Sequence, residues 1–199
     1  METKYSAGLV SQSFWFVEMK KMIKLKIEGK TEKEIKHLCI DENLFGAINE
    51  NRARRMYGYM WNRVKRLDDT MIHLFETSDV PTQKIINLIS ILEGDRLFFE
   101  FIFDVYREKV IFGTEELSDF DLNVFFKNKE VQSEEVGKWI ERTKKRLGSA
   151  YFNFMTDANL ITVVDKKRTI TPPIFDNELE KYLEASGKQS ILKAIKGVS

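Results

Sequence analysis

The chemistry that this sequence could perform is indicated by a row of cationic and polar side chains on a helix predicted over residues 49–71. Apolar residues recur there at alternating steps of three and four, which places them in one stripe on a helix that turns by about 100° per residue. They are Ala53, Met56, Tyr57, Met60, Val64, Leu67 and Met71. Arg and Asn make paired hydrogen bonds to guanine and adenine edges in the DNA major groove. Taken alone, such a stripe is better explained as the solvated basic face of an ordinary core helix than as a DNA contact. The neighbouring elements must therefore distinguish the two interpretations. The stripe opposite the apolar one contains Arg52, Arg55, Tyr59, Asn62 and Arg66.

A similar arrangement recurs towards the carboxyl terminus, where a helix is predicted from Thr143 to about Ala158. Two β-prone runs, Ile161–Val164 and Thr169–Thr171, follow this helix and predict a hairpin. We expect the polar side of the helix and the hairpin tip to contact phosphates, because both are cationic. The turn before the helix, its flank and its polar side carry Arg142, Lys144, Lys145, Arg146, Ser149 and Asn153. The hairpin tip carries Lys166, Lys167 and Arg168.

The elements before the first row have the order of a helix-turn-helix. A helix from about Phe14 to Glu28 is ended by Gly29, and Thr31 with Glu34 forms a capping box that opens a second, short helix. The basic helix over residues 49–71 follows. Three-helix bundles without a DNA-binding role share this order, so it supports DNA contact without establishing it.

The elements before the second row repeat that order and add the hairpin, which is the order of a winged helix-turn-helix. Ser118 with Asp121 is expected to cap a helix to about Asn128, and Ser133 to start a short helix after it. The apolar residues expected to be buried on the capped helix are Phe120, Val124 and Phe125 or Phe126. Two occurrences of one design in a single chain favour nucleic-acid contact.

The fold predicted from these patterns is mainly α, with two helix-turn-helix units on a central helical core and a short β-hairpin as the wing of the second unit. The first helix-turn-helix unit is expected over residues 1–76 and the winged one over 115–175. Between them, residues 77–114 form central hydrophobic helices, of which the second is apolar almost all round and should be buried. Residues 176–199 are expected to form a helical tail that packs on the body.

Composition argues against several other functions. The net charge is only +1, so affinity for nucleic acid must come from local clusters of charge. The single cysteine, Cys39, fits a reducing compartment, and neither His37 nor His73 has a partner at a metal-ligand spacing. Glycine-rich phosphate loops and a nucleophile elbow are absent. We therefore expect a non-catalytic, cytoplasmic, nucleoid-associated monomer that needs no cofactor or metal and has no membrane segment.

Short motifs along nearly the whole chain are similar to those of a known family. They are Lys4-Tyr5-Ser6-Ala7-Gly8, Ser13-Phe14-Trp15-Phe16, Asn43-Leu44-Phe45, Arg96-Leu97-Phe98-Phe99-Glu100-Phe101, Trp139, Thr143, Lys145-Arg146-Leu147, Ile170 and Pro172-Pro173. In this order and spacing they resemble the BrxA family, the small DNA-binding component of BREX (bacteriophage exclusion) defence islands. The resemblance implies a mostly helical fold with two helix-turn-helix motifs, double-stranded DNA binding without catalysis, and other BREX components as possible partners. It identifies no base-reading residues.

Two other functions remain open from the residues. The chain could be an adaptor whose helix-turn-helix units dock other proteins and whose basic faces meet acidic partners. It could also be an RNA-binding helical protein.

Overall fold

The computed structural model describes residues 4–198, which fall into two compact units. Residues 14–94 form one of them, called here the inserted unit, because the chain before and after it belongs to the other. The described residues of that other unit, called here the main unit, are 4–13 and 95–198. This division separates the two helices that the sequence groups as a central core.

The inserted unit is helical throughout, and the predicted signals at its helix ends are confirmed. Gly29 ends the first helix with a φ of +75°, in the left-handed region that glycine adopts without strain. Thr31 and Glu34 form the predicted capping box, with the Thr31 amide donating to the Glu34 carboxylate at 2.8 Å. The helices are α1 Phe16–Ile27, α2 Glu32–Ile40, α3 Glu50–Val64, α4 Asp69–Thr77 and α5 Val80–Leu92.

The long basic helix is shorter than predicted. It ends at Val64, and a new helix, α4, begins at Asp69 because the Asp68 carboxylate caps it by accepting from the Met71 amide at 2.9 Å. An aspartate that bonds backbone amides in this way favours a helix start over a helix interior. Leu67 and Met71 are buried as predicted, but neither lies on α3.

The main unit is built around the second of the predicted central hydrophobic helices, the one that is apolar almost all round. Its helix α6 (Arg96–Phe101) continues through a π-helical turn (Ile102–Tyr106) into α7 (Arg107–Ile111). The Phe98 ring stacks on Tyr151 with 4.6 Å between centroids, and Phe101 packs edge-on against Phe125. The remaining helices are α8 Asp119–Gln132, α9 Glu134–Gly137, α10 Glu141–Asp157, α11 Asn177–Ala185 and α12 Gln189–Lys196.

Residues near both ends of the chain contact this helical segment. The Tyr5 hydroxyl donates to the Glu100 carboxylate at 2.8 Å, and Arg96 donates to the same carboxylate at 2.7 Å. At the other end α12 packs on the π-helical turn, and Arg107 donates to the carbonyl of Val198 at 2.8 Å. In the described residues, the last helix and the residues after it therefore contact the main unit.

The predicted hairpin is confirmed. Strands β1 (Ile161–Val164) and β2 (Lys167–Ile170) pair antiparallel, with Ile161 opposite Ile170. Asp165 and Lys166 join them with φ of 49° and 66°, the pair of positive values that a tight type I′ turn requires. Glu116 adds one further bridge to Thr169 on the free edge of β2.

Helix α8 differs from the prediction in the face that it buries. The capping box of Ser118 and Asp121 is present, but Phe120 and Val124, expected in the core, are exposed. Leu122, Phe125 and Phe126 are buried in their place. Among the described residues, no helix is both long and apolar enough to cross a bilayer.

Candidate nucleic-acid interface

The first row of predicted contact residues lies on α3, whose orientation is fixed by burial of the opposite side. Asn49 caps the helix, its side-chain oxygen accepting from the Arg52 amide at 2.9 Å. Arg52, Arg55 and Asn62 are exposed, and neither arginine forms an ion pair with any described residue. Arg54, by contrast, is paired with Glu50 one turn earlier. The residues that bury the opposite side are Ala53, Met56, Tyr57, Met60 and Val64.

Tyr59, in the middle of this row, is half-buried against an aromatic neighbour that the sequence reasoning missed. Its ring stacks on Trp15, with 5.9 Å between centroids and 24° between planes. Trp15 immediately precedes α1 with φ 49° and ψ 49°, a left-handed conformation that is uncommon outside glycine and asparagine. Position alone does not reveal this contact, because the two residues are far apart in the sequence.

The structure places Arg66 differently from the prediction that it faces DNA. It lies beyond the end of α3 and is half-buried, with its guanidinium donating to the Asn62 carbonyl at 2.6 Å. The same group fills the space beside Gly94, where a Cβ would stand 2.7 Å from Arg66 Cζ. Burial lowers the pKa of this guanidinium. Arg66 therefore braces the turn after α3 and is a poor candidate for DNA contact.

The second row lies on α10, and most of it is exposed as predicted. Lys144 is the exception, because it is buried and forms ion pairs with Glu130 of α8 and Glu141 of its own helix. Arg142 lies in the first turn of α10, not in a turn before it. The Ser149 hydroxyl donates to the Lys145 carbonyl at 3.0 Å. The exposed residues of the row are Arg142, Lys145, Arg146, Ser149 and Asn153.

The hairpin presents fewer cations at its tip than predicted. Arg168 lies within β2, stacks at 3.8 Å over the Phe152 ring and pairs with Asp119 at 2.9 Å. Lys167 stands 3.5 Å from Glu116. Within residues 4–198, Lys166 is the one cation of the three without an ion pair. The strand that carries Arg168 starts earlier than predicted, which draws this side chain away from the tip.

Two cationic surfaces remain after these corrections, one in each unit. We call Arg52, Arg55 and Asn62 the α3 surface, and Lys145, Arg146 and Asn153 the α10 surface. Each combines charges for phosphate oxygens with an amide that can reach a base edge. No group of three metal-ligating side chains occurs in the described part of the chain.

The fold and these surfaces define a mainly helical protein with a cationic helix face in each of two units and one small β-hairpin. The chain belongs to the BrxA family, whose model matches residues 3–187. A relative, the BREX protein BrxA of Bacillus cereus (strain H3081.97), is 35% identical over 186 residues that cover 94% of this chain and 93% of the relative. The resemblance inferred from the short motifs is thereby confirmed.

A solved structure shares the fold. The crystal structure of an uncharacterized protein from Magnetospirillum magneticum matches with a TM-score of 0.82 at 18% sequence identity. The match covers 98% of this chain and 100% of that one. At this level of identity it supports the fold alone.

Proposed function

We propose that this protein is a non-catalytic, double-stranded DNA-binding component of a BREX-type phage-defence system. Membership of the BrxA family and the 35% identity to a BREX protein support the place in such a system. The observation that carries DNA binding is the α3 surface, where Arg52 and Arg55 are exposed and form no ion pair with a described residue. Other BREX components are the expected protein partners.

The physical reason is the difference between these arginines and their neighbours. A phosphate that approached Arg54 would have to compete with Glu50, whereas Arg52 and Arg55 have no carboxylate partner to displace among residues 4–198. The buried side of α3 fixes the direction in which both project, so little orientation is lost on binding. The α10 surface has the same character, since Lys145 and Arg146 are exposed while Lys144 is held in the protein.

Binding of this kind is expected to tolerate many sequences. Phosphate contacts fix the register of a protein on DNA and carry no sequence information directly. Asn62 and Asn153 are the amides that could read base edges, and two amides give limited discrimination. We therefore propose that most of the affinity is electrostatic and falls steeply with salt.

Gel shifts of the full-length protein on random duplex DNA over a salt series test the proposal. Arg52→Glu with Arg55→Glu should weaken binding at least tenfold and reduce the slope of log affinity against log salt by about 1.8, since each lost phosphate contact removes about 0.9. Lys138→Glu with Lys181→Glu changes the net charge equally, at exposed lysines that already pair with glutamates, and should have little effect. Affinity that is independent of salt and equal in both double variants would refute the proposal.

The RNA-binding alternative predicts a different competitor. Single-stranded DNA and structured RNA of matched length should displace the duplex poorly if duplex geometry is recognised. The adaptor alternative gains support from exposed apolar residues on α8, which favour docking of another protein chain on the main unit.

A further inference from the structure

Ile48 lies in the turn between α2 and α3 and is the most exposed large apolar residue of the inserted unit. Its side chain is 87% exposed. A single exposed apolar residue needs no explanation by itself, because such residues are common on protein surfaces. Two features of this turn distinguish Ile48 from an ordinary surface residue.

The first feature is the position of Ile48 relative to the helix cap. Asn49 caps α3, so Ile48 is the residue immediately before the cap. An apolar residue there often packs against the fourth residue of the helix, and this contact fixes the angle at which the chain enters the helix. The fourth residue of α3 is Ala53, which is 1% exposed, yet the Ile48 side chain is turned to solvent. The position that would ordinarily cover this side chain leaves it open.

The second feature is that hydrogen bonds hold the turn without a contribution from the Ile48 side chain. The Asn43 side chain donates to the Ala47 carbonyl at 2.9 Å and accepts from the Ala47 amide at 2.7 Å. The Lys21 ammonium group donates to the Leu44 carbonyl at 2.9 Å. These bonds fix the backbone up to the residue before Ile48, so little orientation is lost when this side chain meets a ligand.

We infer that Ile48 contacts the C5-methyl groups of thymine when α3 lies against duplex DNA. The inference rests on the proposed function, in which the α3 surface faces the duplex. A helix that presents arginine and asparagine to base edges must enter the major groove, since that groove admits an α-helix and the minor groove is about half as wide. The amino-terminal residues of a helix in this position contact the base edges. Ile48 adjoins this end of α3, and the thymine methyl is the one apolar group that the four bases present in the major groove.

This contact adds a preference for A·T pairs to binding that is otherwise electrostatic. Burying one methyl-sized group strengthens binding about fourfold, which leaves the protein tolerant of most sequences. The preference should not change with salt, because counterions are released by phosphate contacts and not by contact between apolar groups. Salt dependence therefore separates the role of Ile48 from that of Arg52 and Arg55.

Uracil is the probe for this contact, because it differs from thymine only in lacking the C5-methyl group. Fluorescence anisotropy of the full-length protein compares a duplex of A·T pairs with the same duplex in which uracil replaces every thymine. Each pair of the first duplex presents one methyl group, so no particular register is needed. The wild type should bind the thymine duplex about fourfold more tightly. Ile48→Ala should bind both duplexes with the affinity that the wild type has for the uracil duplex.

Val80→Ala is the matched control. Val80 is another exposed aliphatic residue of the same unit, at the start of α5, and its variant should keep the wild-type preference for thymine. Because the preference is compared between variants, any effect of uracil on the duplex itself cancels. Melting temperatures of Ile48→Ala and Val80→Ala should equal that of the wild type, since neither side chain is in the core.

A gain of binding tests the same contact from the other direction. In a duplex of G·C pairs, 5-methylcytosine places a methyl group at the ring position where thymine carries its own. The wild type should bind this duplex more tightly than the unmethylated one. Ile48→Ala should not distinguish the two.

The outcomes separate this inference from the proposed function. Arg52→Glu with Arg55→Glu should weaken binding to the thymine and uracil duplexes by the same factor. Duplex binding by the wild type with equal affinity for thymine and uracil would overturn the thymine contact and leave DNA binding in place. A preference that Ile48→Ala retains, or an equal loss on both duplexes in that variant, would overturn it as well. Failure of the wild type to bind any duplex would overturn the proposed function and this inference together.

Discussion

The Arg63 guanidinium donates a 2.7 Å hydrogen bond to the carbonyl oxygen of Phe14, a residue 49 positions earlier in the chain. Arg63 is only 2% exposed, and burial lowers its pKa to about 9, so it remains charged at neutral pH. Asn87 donates to the same oxygen at 2.9 Å, and the guanidinium also lies 5.5 Å from the Trp15 ring. The start of α1 and the aromatic pair beside the α3 surface are thus held by a buried cation.

The first prediction concerns this buried cation. Arg63→Ala should lower the free energy of unfolding of the inserted unit by about 2–4 kcal/mol, because it empties a packed site and removes support from the left-handed Trp15. Arg55→Ala, on the exposed side of the same helix, should change it by no more than about 0.5 kcal/mol. Urea unfolding followed by tryptophan fluorescence measures both. Equal midpoints would show that Arg63 contributes nothing to stability.

The second prediction separates two adjacent lysines. Lys144→Ala should destabilise the main unit by about 1–3 kcal/mol, since Glu130 loses its buried partner, and should leave DNA affinity per folded molecule unchanged. Lys145→Ala should do the reverse, with an unchanged melt and weaker, less salt-dependent DNA binding. Thermal melts and gel shifts on both variants decide it. If Lys144→Ala lost affinity without losing stability, its removal from the α10 surface would be mistaken.

The third prediction concerns the close approach of α8 and α10. A Cβ at Gly148 would overlap a methyl group of the buried Leu122 and stand 3.2 Å from its Cγ. Gly148→Ala should therefore destabilise the protein by about 1–2 kcal/mol, because overpacking outweighs the better helix propensity of alanine.

Gly58→Ala is the control for this overpacking. Gly58 lies within α3, and apart from its chain neighbours and the adjacent backbone of its own helix no described atom lies within 4 Å of its would-be Cβ, so alanine there should stabilise by about 0.5–1 kcal/mol. The two substitutions are chemically identical and should shift the melting temperature in opposite directions. A gain at both positions would mean that Leu122 can move aside at no cost.

Local signals in the sequence located much of this fold. The capping boxes at Thr31 and Ser118 depend on residues three positions apart, and both are present. The hairpin follows from two β-prone runs and a short polar connection, and it is present as well. The apolar spacing continues through Leu67 and Met71, which extends the predicted helix past Asp68 to residue 71. In the structure both residues are buried, but neither lies on α3.

The candidate sites were harder to predict because burial depends on partners distant in sequence. Lys144 forms an ion pair with Glu130 and is not available to DNA. Arg168 pairs with Asp119 and stacks on Phe152, which holds it away from the hairpin tip. Arg66 turns back over Gly94. A helical period shows which side of a helix a residue occupies, but it does not show which neighbouring element will supply a carboxylate or a ring. For the same reason the period could not show that α8 buries one of two apolar sides.

The last prediction concerns a buried carboxyl group. Asp95 caps α6 by accepting from the Phe98 amide at 2.9 Å, and burial raises its pKa from 3.8 to about 6 against the opposing effect of its backbone hydrogen bonds. A carboxyl group whose pKa is higher in the folded state binds a proton more tightly there. Its contribution to stability is complete below about pH 4 and is lost as the pH rises through about 6.

Asp95→Asn should remove this dependence, because the amide oxygen can still accept from Phe98 but does not titrate. Between pH 4 and 7 the variant should gain stability relative to the wild type, by up to about 3 kcal/mol. Asp79→Asn is the control of opposite sign, since the hydrogen bonds from Thr82 hold the pKa of the Asp79 carboxyl below its usual value. The Asp79 carboxylate stabilises the folded state above the unfolded pKa and loses that effect as the pH falls. The free energy of unfolding of Asp79→Asn should therefore decrease relative to the wild type as the pH rises from acidic values. Thermal unfolding of the three proteins across this range gives both difference curves. A flat curve for Asp95→Asn would mean that its carboxyl group is hydrated in the folded protein.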